Sequence, residues 1–294
     1  MSRWLCTFGF LVFVLVSQPA CSSVYKTDDL LDGKSLQPRA VGEVVAKATA
    51  GSVVVVSESH GFQPHHDKQM VVLESLLSLG RVVNVAMEFF DFTQQQKVDD
   101  YLAGALTESD FLRAVNWGQP SFDFYRRQTR FPLQASQSIR GRTLAINAPR
   151  SLTAKIAHSG LSSLSADEQA LLPPAFSLGN AGYRARFNES MAGHADAAAL
   201  DRYFEAQSVW DDTMAYRVAE FHLAHPGETI VIIVGDFHAA YFGGLPDRLR
   251  TRGVADLVVI SQVNLSGGDD ASEHELVDPS PTYGPRADYV WVSR

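Results

Sequence analysis

Apolar residues in this chain gather into short continuous runs separated by stretches of helical periodicity. The clearest runs are Val53-Val54-Val55-Val56 and Val231-Ile232-Ile233-Val234. Uninterrupted β-branched runs of this length read as strands buried on both faces, as in a parallel sheet. Further strands are expected at residues 82–88, 142–147, 256–263 and 288–293, with Pro149 stopping the second of these. Met70, Leu73, Leu76 and Leu77 fall at helical spacing, which predicts a helix over 65–79 that ends at Gly80. Thr93 suits the N-cap of a helix reaching Leu102. Another helix is expected over 109–115, and an aromatic-rich one over 122–139. Residues 151–224 carry no strand pattern, and their Ala-rich, amphipathic character predicts helices only. Residues 22–42 read as polar and irregular, and the acidic, Gly/Ser-rich stretch 267–275 as an exposed loop.

Strands alternating with helices, then a helical block, then more alternation, predict an α/β fold. The expectation is a mostly parallel sheet with flanking helices and an inserted all-helical subdomain. Residues 46–150 and 225–294 would form the α/β domain and 151–224 the helical subdomain.

The N-terminus adds a location. Arg3 precedes an apolar stretch from Leu5 to Val16, too short to span a bilayer but suited to a secretory signal over residues 1–20. Ala20-Cys21-Ser22-Ser23 resembles a bacterial lipoprotein cleavage site, although Gln18 stands where an aliphatic residue is usual. Lipidation at Cys21 would leave residues 21–45 as a lipid-proximal tether. Ser22, in place of aspartate, points to the outer membrane of a bacterial envelope. The only other cysteine, Cys6, would leave with the signal, which excludes internal disulfides, thiolate metal sites and a cysteine nucleophile. The formal net charge of -8, with no Lys/Arg cluster, argues against nucleic acid as a partner. Homodimerisation stays open.

Both central runs end alike: Ser57-Glu58-Ser59-His60 and Gly235-Asp236-Phe237-His238. Ligands of open α/β sheets bind just beyond the carboxyl ends of the strands. Glu88, Asn147 and Gln262 close other strands, and His65 and His66 follow the first. His60, Glu88 and His238 would offer imidazole and carboxylate ligands suited to zinc or another divalent ion, with Glu58 or Asp236 as general base. Farther on, Gln207, Trp210, Asp211 and Met214 share one helix face, as a pocket lid would. The plainer reading makes Trp210 and Met214 core and Asp211 an ion-pair partner.

With these residues in place the chain resembles the ChaN-type haem-binding uptake lipoprotein family, similar in turn to Tiki-type metalloproteases and erythromycin esterases. The resemblance rests on Glu58-Ser59-His60, His65-His66 with Gln69, Ala86-Met87-Glu88-Phe89-Phe90 and Tyr101-Leu102-Ala103-Gly104. It continues through Trp117, Tyr125, Asn147-Ala148-Pro149-Arg150, the segment 206–215 and Gly235-Asp236-Phe237-His238. Ser57 stands where the first Gly-x-x-His of the family begins with glycine. The resemblance implies haem as ligand, with tyrosine ligation; Tyr125, Tyr183 and Tyr241 are the candidate tyrosines, and His60, His66 and His238 candidate partners. Gln207 and Trp210 would line the haem site. It also implies, as the runner-up, a metal-dependent hydrolase of the Tiki kind. A binding module with a relic cluster is the third reading.

Overall fold

Strands without polar alternation must be covered on both faces, and the architecture supplies both covers. The computed structural model describes residues 24–193 and 196–294. Seven strands form one sheet: β1 (Leu30–Asp32), β2 (Val53–Glu58), β3 (Val83–Asp91), β4 (Thr143–Asn147), β5 (Thr229–Gly235), β6 (Leu257–Asn264) and β7 (Tyr289–Ser293). Their order is β1-β7-β6-β2-β5-β3-β4. Only β1 and β7 pair antiparallel; every other neighbour is parallel.

Alternate residues of the central strands feed two cores. Val54, Val56, Val231 and Ile233 pack with Met70, Leu73 and Leu76 of the helix Gln63–Ser78 and with the aromatic block around Phe90, Phe111 and Tyr125. Val53, Val55, Ile230, Ile232 and Val234 face Met214, Ala215, Val218 and Ala219 of the helix Ala197–Ala224. That helix has 28 residues, and Asp196 caps its start by accepting the Ala199 N–H. Between β4 and β5 the described residues form helices and no strand. The expected helical insertion is therefore present, but its longest helix also roofs one face of the sheet.

Four expectations are corrected. The segment read as an irregular tether contributes β1, whose Leu30 and Leu31 are buried; an apolar pair is too short to show a period. The aromatic helix over 122–139 is broken into 3-10 turns at Phe122–Phe124 and Phe131–Gln134 around a short α-helix, Arg126–Arg130. Pro132 lacks the N–H that a continuing helix needs. The acidic loop ends in a helix, Asp270–Val277, because Asp269 caps it through the Ser272 N–H and Glu273 is buried beside Arg294. Asp91, rather than Thr93, accepts from the first turn after β3. Cys6, Cys21 and the signal region lie outside the described residues.

Candidate functional site

β2 and β5 are in register from Val53 opposite Ile230 to Glu58 opposite Gly235, so both acid-x-His ends emerge side by side. Gly235 is needed there. A Cβ on it would lie 2.9 Å from the His60 ring and 3.5 Å from Glu88 Oε2. Its N–H instead donates to Glu88 Oε2 at 2.6 Å.

Around Glu58 the donors converge. Glu58 Oε1 accepts from the Tyr125 hydroxyl at 2.6 Å and from His60 Nδ1 at 2.9 Å; Oε2 accepts from Gln69 Nε2 at 2.7 Å. The carboxylate is buried, so these bonds replace water that it has lost. The His60 side chain is 44% exposed and turns Nε2 toward Glu88 Oε1, 3.9 Å away. Burial opposes the imidazolium of His60, but the Glu58 hydrogen bond and the charges of Glu88 and Glu58 outweigh it and raise its pKa.

A second unit repeats this wiring from other elements. Asp211 on the long helix accepts from His238 Nδ1 and from the Tyr183 hydroxyl, each at 2.7 Å. The Gln207 amide donates to the Tyr183 hydroxyl and lies 3.0 Å from His238 Nδ1. His238 Nε2 is 3.4 Å from Glu88 Oε1. Burial disfavours the His238 cation, yet Asp211 and Glu88 together push its pKa up to about 10. Glu88 is lowered to about 2: burial opposes the carboxylate, but His238, His60 and the Gly235 N–H prevail. The site is two Tyr–carboxylate–His units meeting at one shared carboxylate.

Beside them opens a cleft of about 590 Å³, lined by Glu88, Phe89, Trp117, Asn147, Arg150 and Trp210 among others. His60 packs edge-on against Phe89, with ring centroids 5.2 Å apart. Asn147 reaches the site by donating to the Glu88 carbonyl at 2.8 Å.

The expected site residues divide accordingly. The structure brings His60, Glu88, His238, Gln207 and Trp210 together at the strand ends. His66 is near them but buried, its Nδ1 3.4 Å from Glu58 Oε2 and its ring against Phe124 and Tyr125, and burial lowers its pKa. Tyr125 and Tyr183 are also buried, and burial followed by the adjacent carboxylate charge raises both phenols, so they stand as proton-bearing donors. Tyr241 sits elsewhere, beside Arg286 and Tyr283. Asp236 does not face the crevice as a base. It is half-buried in an ion pair with Arg286 and accepts from Ser57 and Ser261.

Ser57 is likewise structural. Its hydroxyl links Asp236 to the Gln262 N–H, and Gln262 donates to the Ser57 and His65 carbonyls. Sequence reasoning missed Arg286 and Ser261, and placed Asp211 on a lid without finding its histidine. Among the described residues no group of three or more His, Cys, Asp or Glu is set to hold a metal ion. His60, Glu88 and His238 converge as ion pairs, so the expectation of a zinc-type site is unsupported.

No curated protein matches the chain. Among solved structures it is similar to the ChaN of Campylobacter jejuni described with cofacial haem binding, at 17% identity and TM-score 0.63, over 92% of this chain and 98% of that one. It also matches a mutant erythromycin esterase EreC in its open conformation, at 13% identity and TM-score 0.49, over 81% of this chain and 77% of that one. A Bacillus cereus protein matches at 12% identity and TM-score 0.49, over 87% and 92% of the two chains. The family model described as "Haem-binding uptake, Tiki superfamily, ChaN" matches residues 44–249, more than half of the sequence, and the chain belongs to that family.

Proposed function

We propose that this protein binds haem in the strand-end cleft, with His60 as the iron ligand, and serves iron acquisition from a lipid-anchored position in the bacterial envelope. The observation that carries the reading is His60 itself. It is the half-exposed imidazole of the cluster, and its Nδ1 is fixed on Glu58, which leaves Nε2 3.9 Å from Glu88 Oε1, beyond hydrogen-bond reach. A histidine ligand oriented by a carboxylate on its second nitrogen is a recurrent arrangement at metal centres. The cleft fits the group: Trp117, Phe89 and Trp210 offer apolar faces for a flat ring system, and Arg150 on the lining can pair with a carboxylate. Bound haem would supply an iron for His60 to ligate and peripheral carboxylates for Arg150 to pair with. Tyrosinate ligation by Tyr125 or Tyr183 is disfavoured, since either phenol would lose its proton beside a buried carboxylate.

Haemin titration of the full chain, followed in the Soret band, tests this. His60→Ala is expected to shift the spectrum and weaken binding by about tenfold or more, whereas Tyr125→Phe keeps the wild-type spectrum. The reverse pattern sinks the ligand assignment, and a wild type without stoichiometric response sinks haem binding. The anchor is read separately, by palmitate incorporation: wild type should label and Cys21→Ala should not.

A further inference from the structure

A second, smaller concavity of about 230 Å³ is lined by Asn180, Tyr183, Arg186, Tyr241, Thr282 and Tyr283. Its centre of charge is Arg186. The guanidinium lies over the Phe237 ring at 4.3 Å and beside Tyr183 and Tyr241 at 5.2 and 5.6 Å. Its Nη2 donates to the Phe237 carbonyl at 2.7 Å. Among the described residues it has no ion-pair partner, whereas the other arginine against Tyr241, Arg286, is neutralised by Asp236. Aromatic faces stabilise such a cation without consuming its N–H edge. A planar fork left in this state matches the two oxygens of a carboxylate or a phosphate.

The walls add to the same chemistry. Asn180 caps the helix Ala181–Ser190 by accepting the Tyr183 N–H, so the positive end of that helix borders the concavity. Opposite, Tyr241 and Phe242 hold φ of 59° and 58°, a conformation that bulky residues adopt only where their surroundings fix it. A Cβ on Gly243 would sit 3.2 Å from the Tyr183 side chain, so the strained segment is pressed flush against the wall. Burial disfavours the charged form of Arg186 and lowers its pKa, although Tyr183, Asp236 and Asp211 act in the opposite direction.

We propose that this concavity is a binding site for a small oxyanion, a carboxylate or a phosphate, held by the Arg186 fork. It is separate from the haem cleft but wired to the same cluster, because Tyr183 lines it and donates to Asp211.

Calorimetric titration of the full chain with inorganic phosphate and with acetate, at constant ionic strength, tests the site. At least one anion should bind saturably with Kd of about 1 mM or tighter. Phosphate alone would identify a phosphate-bearing ligand, and acetate alone a carboxylate. Arg186→Gln should weaken binding by about tenfold or more, and Arg186→Lys by less, since it keeps the charge and loses the fork. No saturable response of wild type to either anion overturns the proposal, as does undiminished binding in Arg186→Gln. Should Arg186→Gln fail to fold by circular dichroism, Arg186→Lys decides: weakened binding supports the fork, and unchanged binding overturns it.

Discussion

In the Glu58 unit a buried carboxylate collects Tyr125 and Gln69 and ends on a histidine whose side chain is 44% exposed. In the Asp211 unit a buried carboxylate collects Tyr183 and ends on a histidine whose side chain is only 9% exposed. Each carboxylate accepts from a tyrosine hydroxyl and a histidine Nδ1, and each histidine turns Nε2 toward Glu88, at 3.9 Å for His60 and 3.4 Å for His238. What differs is where each relay stops. The first stops on a half-exposed imidazole packed against Phe89, which lines the cleft. The second stops under the long helix, roofed by Gln207 and Trp210. Similar chemistry thus divides into a part that leaves its histidine half exposed and a part that seals its histidine under the long helix.

The division is sharpest under one substitution made twice. His238→Ala removes the counter-ion of Asp211 inside the protein and leaves a buried charge unpaired, which costs about 3–5 kcal/mol. His60→Ala deletes a half-exposed ring whose carboxylate keeps Tyr125 and Gln69, so its expected cost is about 1 kcal/mol or less. Urea unfolding of the two variants measures both. Equal losses would break the comparison and assign His60 a structural role as well.

Much of this was legible in the chain, for a definite reason. Valine and isoleucine runs without polar alternation leave few options but buried parallel strands, and matched run lengths set Glu58 opposite Gly235. Asp236 and His238 share the spacing of Glu58 and His60 but do not meet. Glu58 ends a strand, so the residue two positions on returns to the same side and reaches it. Asp236 instead opens a helical turn, Asp236–Ala239. At about 100° per residue, positions two apart point to nearly opposite sides. Asp236 is thereby sent toward Ser57, Ser261 and Arg286, and His238 toward Asp211, a partner from the insertion. Spacing in sequence cannot reveal which carboxylate a histidine meets when the two motifs continue into different backbone. Tyr183 and Asp211 are joined only by tertiary packing, and no period announces them.

The subtlest difference between the units concerns protons, and it fixes the pH profile of stability. His238 has a folded pKa of about 10 against 6.5 when unperturbed, so its contribution is complete below pH 6.5 and is lost as pH rises through about 10. His65, beneath β2, has the opposite sign. It accepts the Ser59 N–H on Nδ1, and burial lowers its pKa to about 4, so its contribution is complete above pH 6.5 and is lost as pH falls toward 4. Together they place the stability maximum near pH 6.5, with a fall on both sides. Each limb has a slope of at most about 1.4 kcal/mol per pH unit for one proton. His238→Gln should flatten the alkaline limb and leave the acid limb in place. His60→Gln should leave the alkaline limb nearly as steep as in wild type, because its more exposed ring is screened by water. Chemical denaturation from pH 4 to pH 10 reads both slopes. An alkaline limb that survives His238→Gln would mean that the sealed histidine is not the group that loses its proton there.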